Sequence, residues 1–270
     1  MNHSDKPVAF VLISSQHGTM IVNKNDYCST SQDMAFGVGY QLLAKSSYDR
    51  NEIMFLLSIL QKKREYDGDG VVAIDCGANI GVNTIEWANA LHGWGRIIAF
   101  EAQEKIYYAL AGNVAINNCL NVTARLAAVG ASCGFIDIPE PDYTRPASYG
   151  SLELRYRTNN EFIGQQIDYQ KTKSIPLVSI DSLNLERCDF IKIDVEGMEN
   201  EVLAGAADTL ERHRPVMWIE ILKSDREELA EYLKKKSYAL FVVGMNMLAV
   251  HQDDPIIGRL EYTTDYLKLH

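Results

Sequence analysis

One stretch, Val71 to Gly81 (VVAIDCGANIG), constrains the fold of this chain more than any other. Four apolar residues lead without alternation into Asp75, which is typical of a strand buried on both faces of a parallel sheet. Two glycines, Gly77 and Gly81, follow, and apolar residues then recur every third position over 82–91. The stretch therefore predicts a strand, a glycine-bearing turn and a helix N-terminus, which together suit a polar or anionic ligand.

A second apolar strand is predicted at 97–100, and it ends on an acid, Glu101. An acid about twenty residues after the first turn can bond the two hydroxyl groups of a ribose. The glycine turn reads D-x-G-x-x-x-G and lacks the G-x-G-x-x-G spacing of dinucleotide sites. This spacing favours a nucleoside cofactor without a pyrophosphate, and S-adenosylmethionine fits it best.

The turn and the ends of these two strands supply the candidate cofactor residues. The asparagines among them either bond a cofactor carboxylate or cap the helix. The glycines either admit a close backbone approach with positive φ or form a plain tight turn. The acid that ends the first strand would fix the turn through hydrogen bonds. The candidates are Asp75, Gly77, Asn79, Gly81, Asn83, Glu101, Ala102 and Gln103.

Beyond residue 71, strand and helix patterns alternate, which is typical of right-handed βαβ crossovers in a parallel sheet. One helix is predicted with residues 198, 202, 206 and 210 on its buried face. The last two strands are joined by so short a connection that they must be antiparallel. After the first two, strands are predicted at 122–129, 135–138, 175–180, 190–193, 216–219, 240–243 and 247–250.

Residues 1–66 precede this core and form a predicted N-terminal extension. Short β-prone runs at 8–13 and 19–22 flank a turn, and apolar residues over 53–60 fall on one helix face. This hairpin and amphipathic helix could also cover a second copy of the chain in a homo-oligomer. The cofactor-binding domain is then predicted over 67–270.

The segment from about 139 to 175 interrupts this domain with three prolines and many polar side chains. So long an irregular segment inside a compact domain is more often functional than accidental. We interpret it as a flap or substrate loop. Specificity for a substrate is expected to lie here and in the extension.

The composition excludes several classes of protein. The formal net charge is −10 and no stripe of lysine and arginine occurs, so a large nucleic-acid interface is not expected. The five cysteines form no C-x-x-C pair and are expected to be small core residues. No apolar run approaches the ~18 residues of a membrane span, and the first residues do not resemble a signal peptide. A cytoplasmic location is therefore expected.

Four predicted strands end on an acid, at the edge where ligands bind in such sheets: Asp75, Glu101, Asp194 and Glu220. Asp194 and Glu196 flank one residue, so an extended chain points both carboxylates to the same side. Neighbouring acids raise one another's pKa, which suits a general base. Asp194 is the predicted base, with Glu196 and Glu220 orienting the substrate. A metal is not predicted, although these three would be its ligands if a divalent cation is used; Glu196 could simply cap the next helix.

Several longer motifs stand out along roughly residues 71–220 of the chain. They are DCGANIG (75–81), FEAQ (100–103), NNCLNV (117–122), AAVG (127–130), IKIDVEGMENEVLAGA (191–206) and RPVMWIE (214–220). Together these motifs resemble the FkbM-type family of S-adenosylmethionine-dependent methyltransferases. The first motif alone indicates only the broad superfamily, and the IDVEGxE block makes the narrower resemblance specific.

The resemblance implies an α/β fold with a Rossmann-like, seven-stranded, mostly parallel sheet, one antiparallel strand and helices on both faces. It implies methylation of a hydroxyl group on a sugar, a polyketide or a related small metabolite. Asp194 and Glu196 would lie in the family's acidic block near the transferred methyl group. The residues that it assigns to the cofactor are Asp75, Gly77, Ala78, Asn79, Gly81 and Glu101.

Three rival functions fit parts of the sequence. The first is transfer to the nitrogen of a small amine, although residues 194–197 read DVEG and not the (N/D)-P-P-(Y/F) turn of many base-modifying enzymes. The second is a non-catalytic cofactor-binding module, although the acids of the acceptor site are intact. The third is a nicotinamide dehydrogenase, against which the absence of G-x-G-x-x-G argues.

Overall fold

The structure is a computed structural model, and it describes residues 6–29, 35–263 and 266–270. Its strands are β1 (Phe10–Ser15), β2 (Gly18–Asn23), β3 (Cys28–Ser29), β4 (Ala35–Phe36), β5 (Val71–Cys76), β6 (Gly95–Glu101), β7 (Val122–Leu126), β8 (Ala128–Val129), β9 (Gly134–Pro139), β10 (Thr172–Val178), β11 (Phe190–Ile193), β12 (Val216–Glu220), β13 (Tyr238–Val243), β14 (Asn246–His251), β15 (Leu260–Tyr262) and β16 (Leu267–Leu269). Its α-helices are α1 (Val38–Lys45), α2 (Arg50–Asp67), α3 (Val82–Ala90), α4 (Glu104–Ile116), α5 (Glu199–Ala204), α6 (Ala207–His213) and α7 (Arg226–Lys235). Within the described residues, none of these helices combines the length and the apolar character that a bilayer span requires.

A seven-stranded sheet in the order β13-β14-β12-β11-β5-β6-β7 forms the centre of the fold. Six of its strands run parallel, and β14 runs antiparallel to its neighbours β12 and β13. This is the predicted Rossmann-like, mostly parallel sheet. From β5 the chain proceeds to β6 and β7 on one side, and it later builds β11 and β12 on the other. The gap between β5 and β11 is therefore the switch point at which such sheets bind ligands.

The central strand β5 is buried along its whole length, as its apolar run predicts. Val71 and Ala73 face one core, and Val72 and Ile74 face the other, because successive side chains of a strand point to opposite faces. Helices α2, α3 and α4 supply the first core, whereas α5, α6 and α7 supply the second. Helices thus cover both faces of the sheet.

The N-terminal hairpin β1–β2 joins the rest of the fold through two asparagines of α4. Asn113 and Asn117 lie one helical turn apart, and their amides face Ile21 and Thr19 on the free edge of β2. Each amide accepts from the backbone N–H of its partner and donates to the carbonyl of the same residue. The two side chains therefore satisfy the edge of β2 as a further strand would.

Two predicted elements are divided in the structure. The strand expected over 122–129 ends at Leu126, and β8 pairs instead with β10 in a three-stranded side sheet with β9. The helix expected over 198–210 is two helices, α5 and α6, with Gly205 between them. A Cβ at Gly205 would lie 2.1 Å from the carbonyl oxygen of Gly130. Because this close contact leaves no room for a side chain, the junction carries glycine, which is a poor helix former.

Two further regions have structure that periodicity did not reveal. Helix α1 follows Gly37, in a region where no helix was predicted. The tail contains a 3₁₀ helix, Pro255–Arg259, and the hairpin β15–β16. All three elements are short, so none of them is long enough to produce a readable hydrophobic pattern.

Residues 140–171, here called the insertion segment, connect β9 to β10. Those two strands pair antiparallel up to Pro139 and Thr172, so the segment leaves and re-enters the fold at one place. It contains no strand, and its one regular piece is a 3₁₀ turn at Tyr149–Ser151. The segment is therefore held by its side chains and isolated backbone contacts.

Asp26 is the buried junction between the N-terminal extension and the insertion segment. Its carboxylate accepts hydrogen bonds from the backbone N–H groups of Gly39 at 2.8 Å and Tyr149 at 3.1 Å. Its backbone also forms a β-bridge with Ala147. Burial raises the pKa of Asp26 to about 6, although the two N–H donors oppose this shift.

We expect Asp26→Ala to lower the free energy of unfolding by about 2–4 kcal/mol, because it leaves two buried N–H groups without acceptors. The measurement is urea denaturation at pH 8. Asp137→Ala, which removes an exposed aspartate of β9, serves as the control and should change the free energy by less than about 0.5 kcal/mol. Equal stability of the two variants would contradict this role of Asp26.

Candidate active site

A cavity of about 450 Å³ opens at the carboxyl ends of β5, β6, β11 and β12. It lies at the switch point of the central sheet. Among the described residues, it brings together most of the residues that the sequence suggested. These are Gly77, Ala78, Asn79, Asn83, Glu101, Ala102, Gln103, Asp194, Glu196 and Glu220.

The turn after β5 is held by contacts to the strands on both sides of it. The N–H groups of Gly77 and Ala78 donate to the carbonyl of Phe100, at 3.0 and 2.8 Å. Gly77 has a φ of +79°, and a Cβ there would lie 1.8 Å from the carbonyl oxygen of Asp194. Glycine is therefore required at this position for both its backbone angle and its lack of a side chain.

Glu101 ends β6 with its carboxylate at the cavity, and only 6% of the residue is exposed. Its two oxygens accept hydrogen bonds from the N–H groups of Asn79 at 3.0 Å and Gln103 at 2.7 Å. Burial raises the pKa of Glu101 to about 7, although these two donors oppose the shift. The remaining lone pairs of this fixed carboxylate can accept hydrogen bonds from hydroxyl groups of a ligand.

Two of the predicted cofactor residues lie outside the cavity lining. Asp75 is fully buried and accepts a hydrogen bond from the Thr84 hydroxyl at 2.6 Å. Its other oxygen has no hydrogen-bond partner among the described residues. Gly81 precedes α3 with a φ of +89°, and a Cβ there would lie 2.5 Å from Cδ1 of Leu110. Both residues shape the turn and the start of α3 from behind the cavity wall.

The three predicted amide side chains differ in what they leave free. Gln103 donates to the carbonyl of Tyr149 at 2.8 Å and accepts from the Tyr143 hydroxyl at 3.2 Å, so its amide binds the insertion segment. Asn79 Oδ1 accepts a hydrogen bond from the backbone N–H of Ile80 in the turn. Asn83 Oδ1 is buried and has no hydrogen-bond partner among the described residues. Of the three, Asn83 is therefore the one whose side-chain oxygen is not already used in a hydrogen bond among the described residues.

Part of the cavity wall is apolar. Ala128 of β8, Leu154 of the insertion segment and Met198 before α5 line the cavity and belong to one buried cluster. Apolar walls with a few fixed polar groups are typical of small-molecule sites. This wall suits the flat faces of a nucleobase.

Asp194, Glu196 and Glu220 converge at the cavity, and one carboxylate oxygen from each lies within 4.8 Å of the others. Asp194 pairs with Lys192 at 2.7 Å, and Glu196 pairs with Lys223 at 2.6 Å. The Oε2 atom of Glu220 is buried and accepts no hydrogen bond from the described residues. Two of the three carboxylates are therefore paired with ammonium groups, and Glu220 retains a free oxygen.

The charges of this cluster shift one another's pKa. Burial and the charge of Asp194 raise the pKa of Glu220 to about 8. Burial and repulsion from Asp194 and Glu220 also raise the pKa of Glu196 well above its usual range, although Lys223 opposes this. Burial favours neutral Lys192, but the carboxylates of Asp194 and Asp75 outweigh it and raise its pKa. Lys192 therefore stays charged, whereas Glu220 can exchange a proton near neutral pH.

The three acids have the spacing of a metal site, but their partners fit charge pairing better. A divalent cation would compete with the ammonium groups of Lys192 and Lys223 for two of its three ligands. Repulsion between each lysine and the cation would further weaken binding. The residues present therefore favour a proton-transfer site.

Sequence reasoning gave several residues of the cavity no role in binding or catalysis, although it indicated an edge position or a salt bridge for Lys192, and the salt bridge is present. Lys192 lies in the middle of an apolar strand and is 5% exposed. A lysine inside an apolar run is a sequence signal for nearby acids, because a buried ammonium requires carboxylate partners. Lys223 and Ser151 had no such local signal, since they meet only where the insertion segment returns over the sheet edge. Tyr48 and Asp49 reach the cavity from the loop before α2.

A family model described as the methyltransferase FkbM domain matches residues 75–240 of the chain. The match spans the sheet from the end of β5 into β13, and so it includes both the glycine turn and the three acids. Among curated proteins, no sequence matches the chain significantly.

Three solved structures resemble the chain at low sequence identity, and the likeness concerns the fold alone. Methyltransferase FkbM from Methylobacillus flagellatus KT is 18% identical, with a TM-score of 0.47; the match covers 68% of this chain and 43% of that one. This chain therefore matches less than half of that protein's length. Precorrin-6y C5,15-methyltransferase from Geobacter metallireducens GS-15 is 17% identical (TM-score 0.44; 77% and 89% covered). Trm5b from Pyrococcus abyssi is 12% identical (TM-score 0.46; 91% and 56% covered).

We expect Gly77→Ala to lower the free energy of unfolding by about 3 kcal/mol or more, because the added Cβ meets the Asp194 carbonyl and the backbone angle is unfavourable. Chemical denaturation measures the change. Gly134→Ala is the matched control, since a Cβ there meets nothing within 4 Å and its φ is ordinary. A Gly77 variant as stable as the Gly134 variant would refute the close approach of the turn to β11.

Proposed function

The chain belongs to the FkbM methyltransferase domain family, and we propose that it transfers a methyl group from S-adenosylmethionine to a hydroxyl oxygen of a small molecule. The observation that carries the proposal is a single cavity with two chemically different parts. One part holds the buried Glu101 carboxylate beside the glycine turn, and the other holds the Glu220 carboxylate, which forms no ion pair among the described residues. The first suits a nucleoside, and the second suits the proton of an acceptor.

The residues around the turn fit the cofactor. Glu101 would accept hydrogen bonds from the ribose hydroxyl groups, and the side chain of Asn83, which also lines the cavity, would contact the amino-acid end of the cofactor. The apolar wall at Ala128 and Met198 would contact the adenine. When bound, S-adenosylmethionine supplies a methyl group made electrophilic by a positively charged sulfur.

On the acceptor side, Glu220 would serve as the general base. The proton of the acceptor hydroxyl passes to the Glu220 carboxylate, which lines the cavity and whose pKa is about 8. Asp194, which sequence alone suggested as the base, has its Oδ2 occupied by the ammonium of Lys192. Asp194 and Glu196 therefore orient the acceptor, and alignment of the two reactants supplies much of the acceleration.

The charge of the cavity restricts the acceptor. Among the described residues, six acids and two lysines line it. Such a lining repels phosphate groups, so a phosphorylated sugar or a nucleic acid fits poorly. Leu222 and Met245, which are 58% and 57% exposed, also line the cavity and offer apolar contacts. A neutral hydroxyl compound with an apolar portion fits this site.

Binding of S-adenosylhomocysteine, measured by calorimetry, tests the cofactor half of the proposal. Micromolar binding to the wild type that is lost in Glu101→Ala would support it and justify a screen of neutral alcohols, with amines as the comparison set. A folded wild type that does not bind would contradict it.

We expect cofactor affinity to depend on the ionisation of Glu101. Its pKa is about 7, so below pH 7 a proton occupies an oxygen that ribose hydroxyls need as an acceptor. The dissociation constant should therefore be about tenfold higher at pH 6 than at pH 8. Glu101→Gln should bind weakly at both pH values, and Glu140→Gln, an exposed control, should keep the wild-type slope. A flat wild-type profile would contradict the assignment.

We expect Glu220→Gln to lower kcat by about 10²- to 10⁴-fold, because glutamine cannot accept the proton. Its affinity for S-adenosylhomocysteine should remain within about twofold of the wild type. In the wild type, the base must be deprotonated, so kcat should rise with pH and level off above about 8. Steady-state kinetics across pH 6–9 measure both effects. Wild-type turnover by Glu220→Gln would refute its role as the base.

A further inference from the structure

The insertion segment contributes one wall of the cavity. Residues 148–161, here called the lid, include Gly150, Ser151, Leu154 and Glu161 of the cavity lining. The lid consists of a 3₁₀ turn followed by irregular chain, and its backbone forms no strand pairs. Few backbone hydrogen bonds therefore hold it, so its side-chain contacts decide whether it stays closed.

One end of the lid is fixed deep in the protein. The Tyr149 N–H donates to the buried carboxylate of Asp26 at 3.1 Å, and the Tyr149 carbonyl accepts from Gln103 at 2.8 Å. Asp26, Gln103 and Tyr149 are all buried. Opening at this end would leave buried polar groups unpaired, which is costly.

The other end of the lid is held by several side chains, and Lys223, which comes from the loop after β12, makes three of these contacts. Its ammonium contacts the carbonyl of Ser151 at 2.8 Å, the carboxylate of Glu161 at 2.8 Å and that of Glu196 at 2.6 Å. The side chain is 10% exposed, whereas that of Glu161 is 37% exposed. Lys223 thus joins two points of the lid to the acid cluster of the active site.

Two arginines of the lid reinforce this end, and one of them, Arg155, pairs with Glu201 of α5 at 2.7 Å. The Arg157 guanidinium donates to the carbonyl of Lys223 at 3.0 Å and to the carbonyl of Gly197. These contacts tie the lid to the loops after β12 and β11. Of the Lys223 contacts, the pair with Glu161 has the most exposed partner, at 37%, so water can replace this bond at a smaller cost than the buried bonds at the Asp26 end.

We propose that Lys223 is a positioning residue that latches the lid over the cofactor cavity. The inference rests on the proposed function, since it assumes that the cofactor occupies this cavity. With the latch intact, the lid stays closed over the cavity between Ser151 and Glu161. When Lys223 releases Glu161, the lid turns about its fixed end at Tyr149 and opens the route for cofactor and acceptor.

Binding kinetics of S-adenosylhomocysteine, measured by surface plasmon resonance, distinguish a latch from a simple contact. Lys223→Met and Glu161→Gln should both raise the association and dissociation rates by about threefold or more, because each weakens the closed lid. Lys223→Arg keeps the charge and should stay within about twofold of the wild type. Lys62→Met, which removes an exposed ion pair of α2, is the control and should change neither rate. A rise in the dissociation rate alone would overturn the proposal.

Hydrogen exchange without any ligand separates this inference from the proposed function. Amides of residues 150–161 should exchange about fivefold faster in Lys223→Met and Glu161→Gln than in the wild type, while amides of β5 keep their protection. Unchanged exchange in the lid would overturn the latch even if the protein binds the cofactor. If lid exchange is faster in these variants but the protein binds no S-adenosylhomocysteine, Lys223 does hold the lid closed. The proposal that it latches the lid over a cofactor cavity would then be refuted.

Discussion

A buried ammonium group joins the two strands between which the cavity opens. Lys192 of β11 lies opposite Asp75 of β5, and its Nζ atom pairs with Asp194 at 2.7 Å. A lysine this deeply buried remains charged only beside carboxylates, so the positions of Asp75 and Asp194 depend on it as much as it depends on them. The loop that carries Asp194 also places its carbonyl against Gly77. The glycine turn and the acid cluster therefore share one electrostatic and steric arrangement.

Among the described residues, two ammonium groups form ion pairs with two of the three acids of the cluster. Lys192 occupies an oxygen of Asp194 and Lys223 an oxygen of Glu196, which leaves Glu220 with a buried, free oxygen. Close carboxylates resist simultaneous ionisation, and this repulsion keeps a proton available near neutral pH. Lys223 also binds the lid, so the group that neutralises Glu196 is the same group that closes the cavity. Chemistry and access are thus linked through one side chain.

Elements with a strong local pattern were predicted correctly. The continuous apolar run of β5 is buried on both faces, and the short connection between β13 and β14 makes them antiparallel. The errors occur where a distant contact overrides a local pattern. The helix expected over 198–210 breaks at Gly205, which packs on the Gly130 backbone, and the strand expected over 122–129 divides because β8 pairs with β10. Neither contact has a trace in the local sequence.

The sequence by itself determined the sheet, the glycine turn and the edge at which polar residues collect, because parallel strands end on the same side and the acids follow those ends directly. It also contained the motifs of the family. Only the tertiary structure decided which acid is free, since Lys223 reaches Glu196 and Glu161 across loops that are distant in sequence. The role of the insertion segment was likewise decided by packing, through Asp26 and Gln103. Periodicity encodes which face of an element is buried, but it does not encode which charged groups meet when irregular segments fold over that edge.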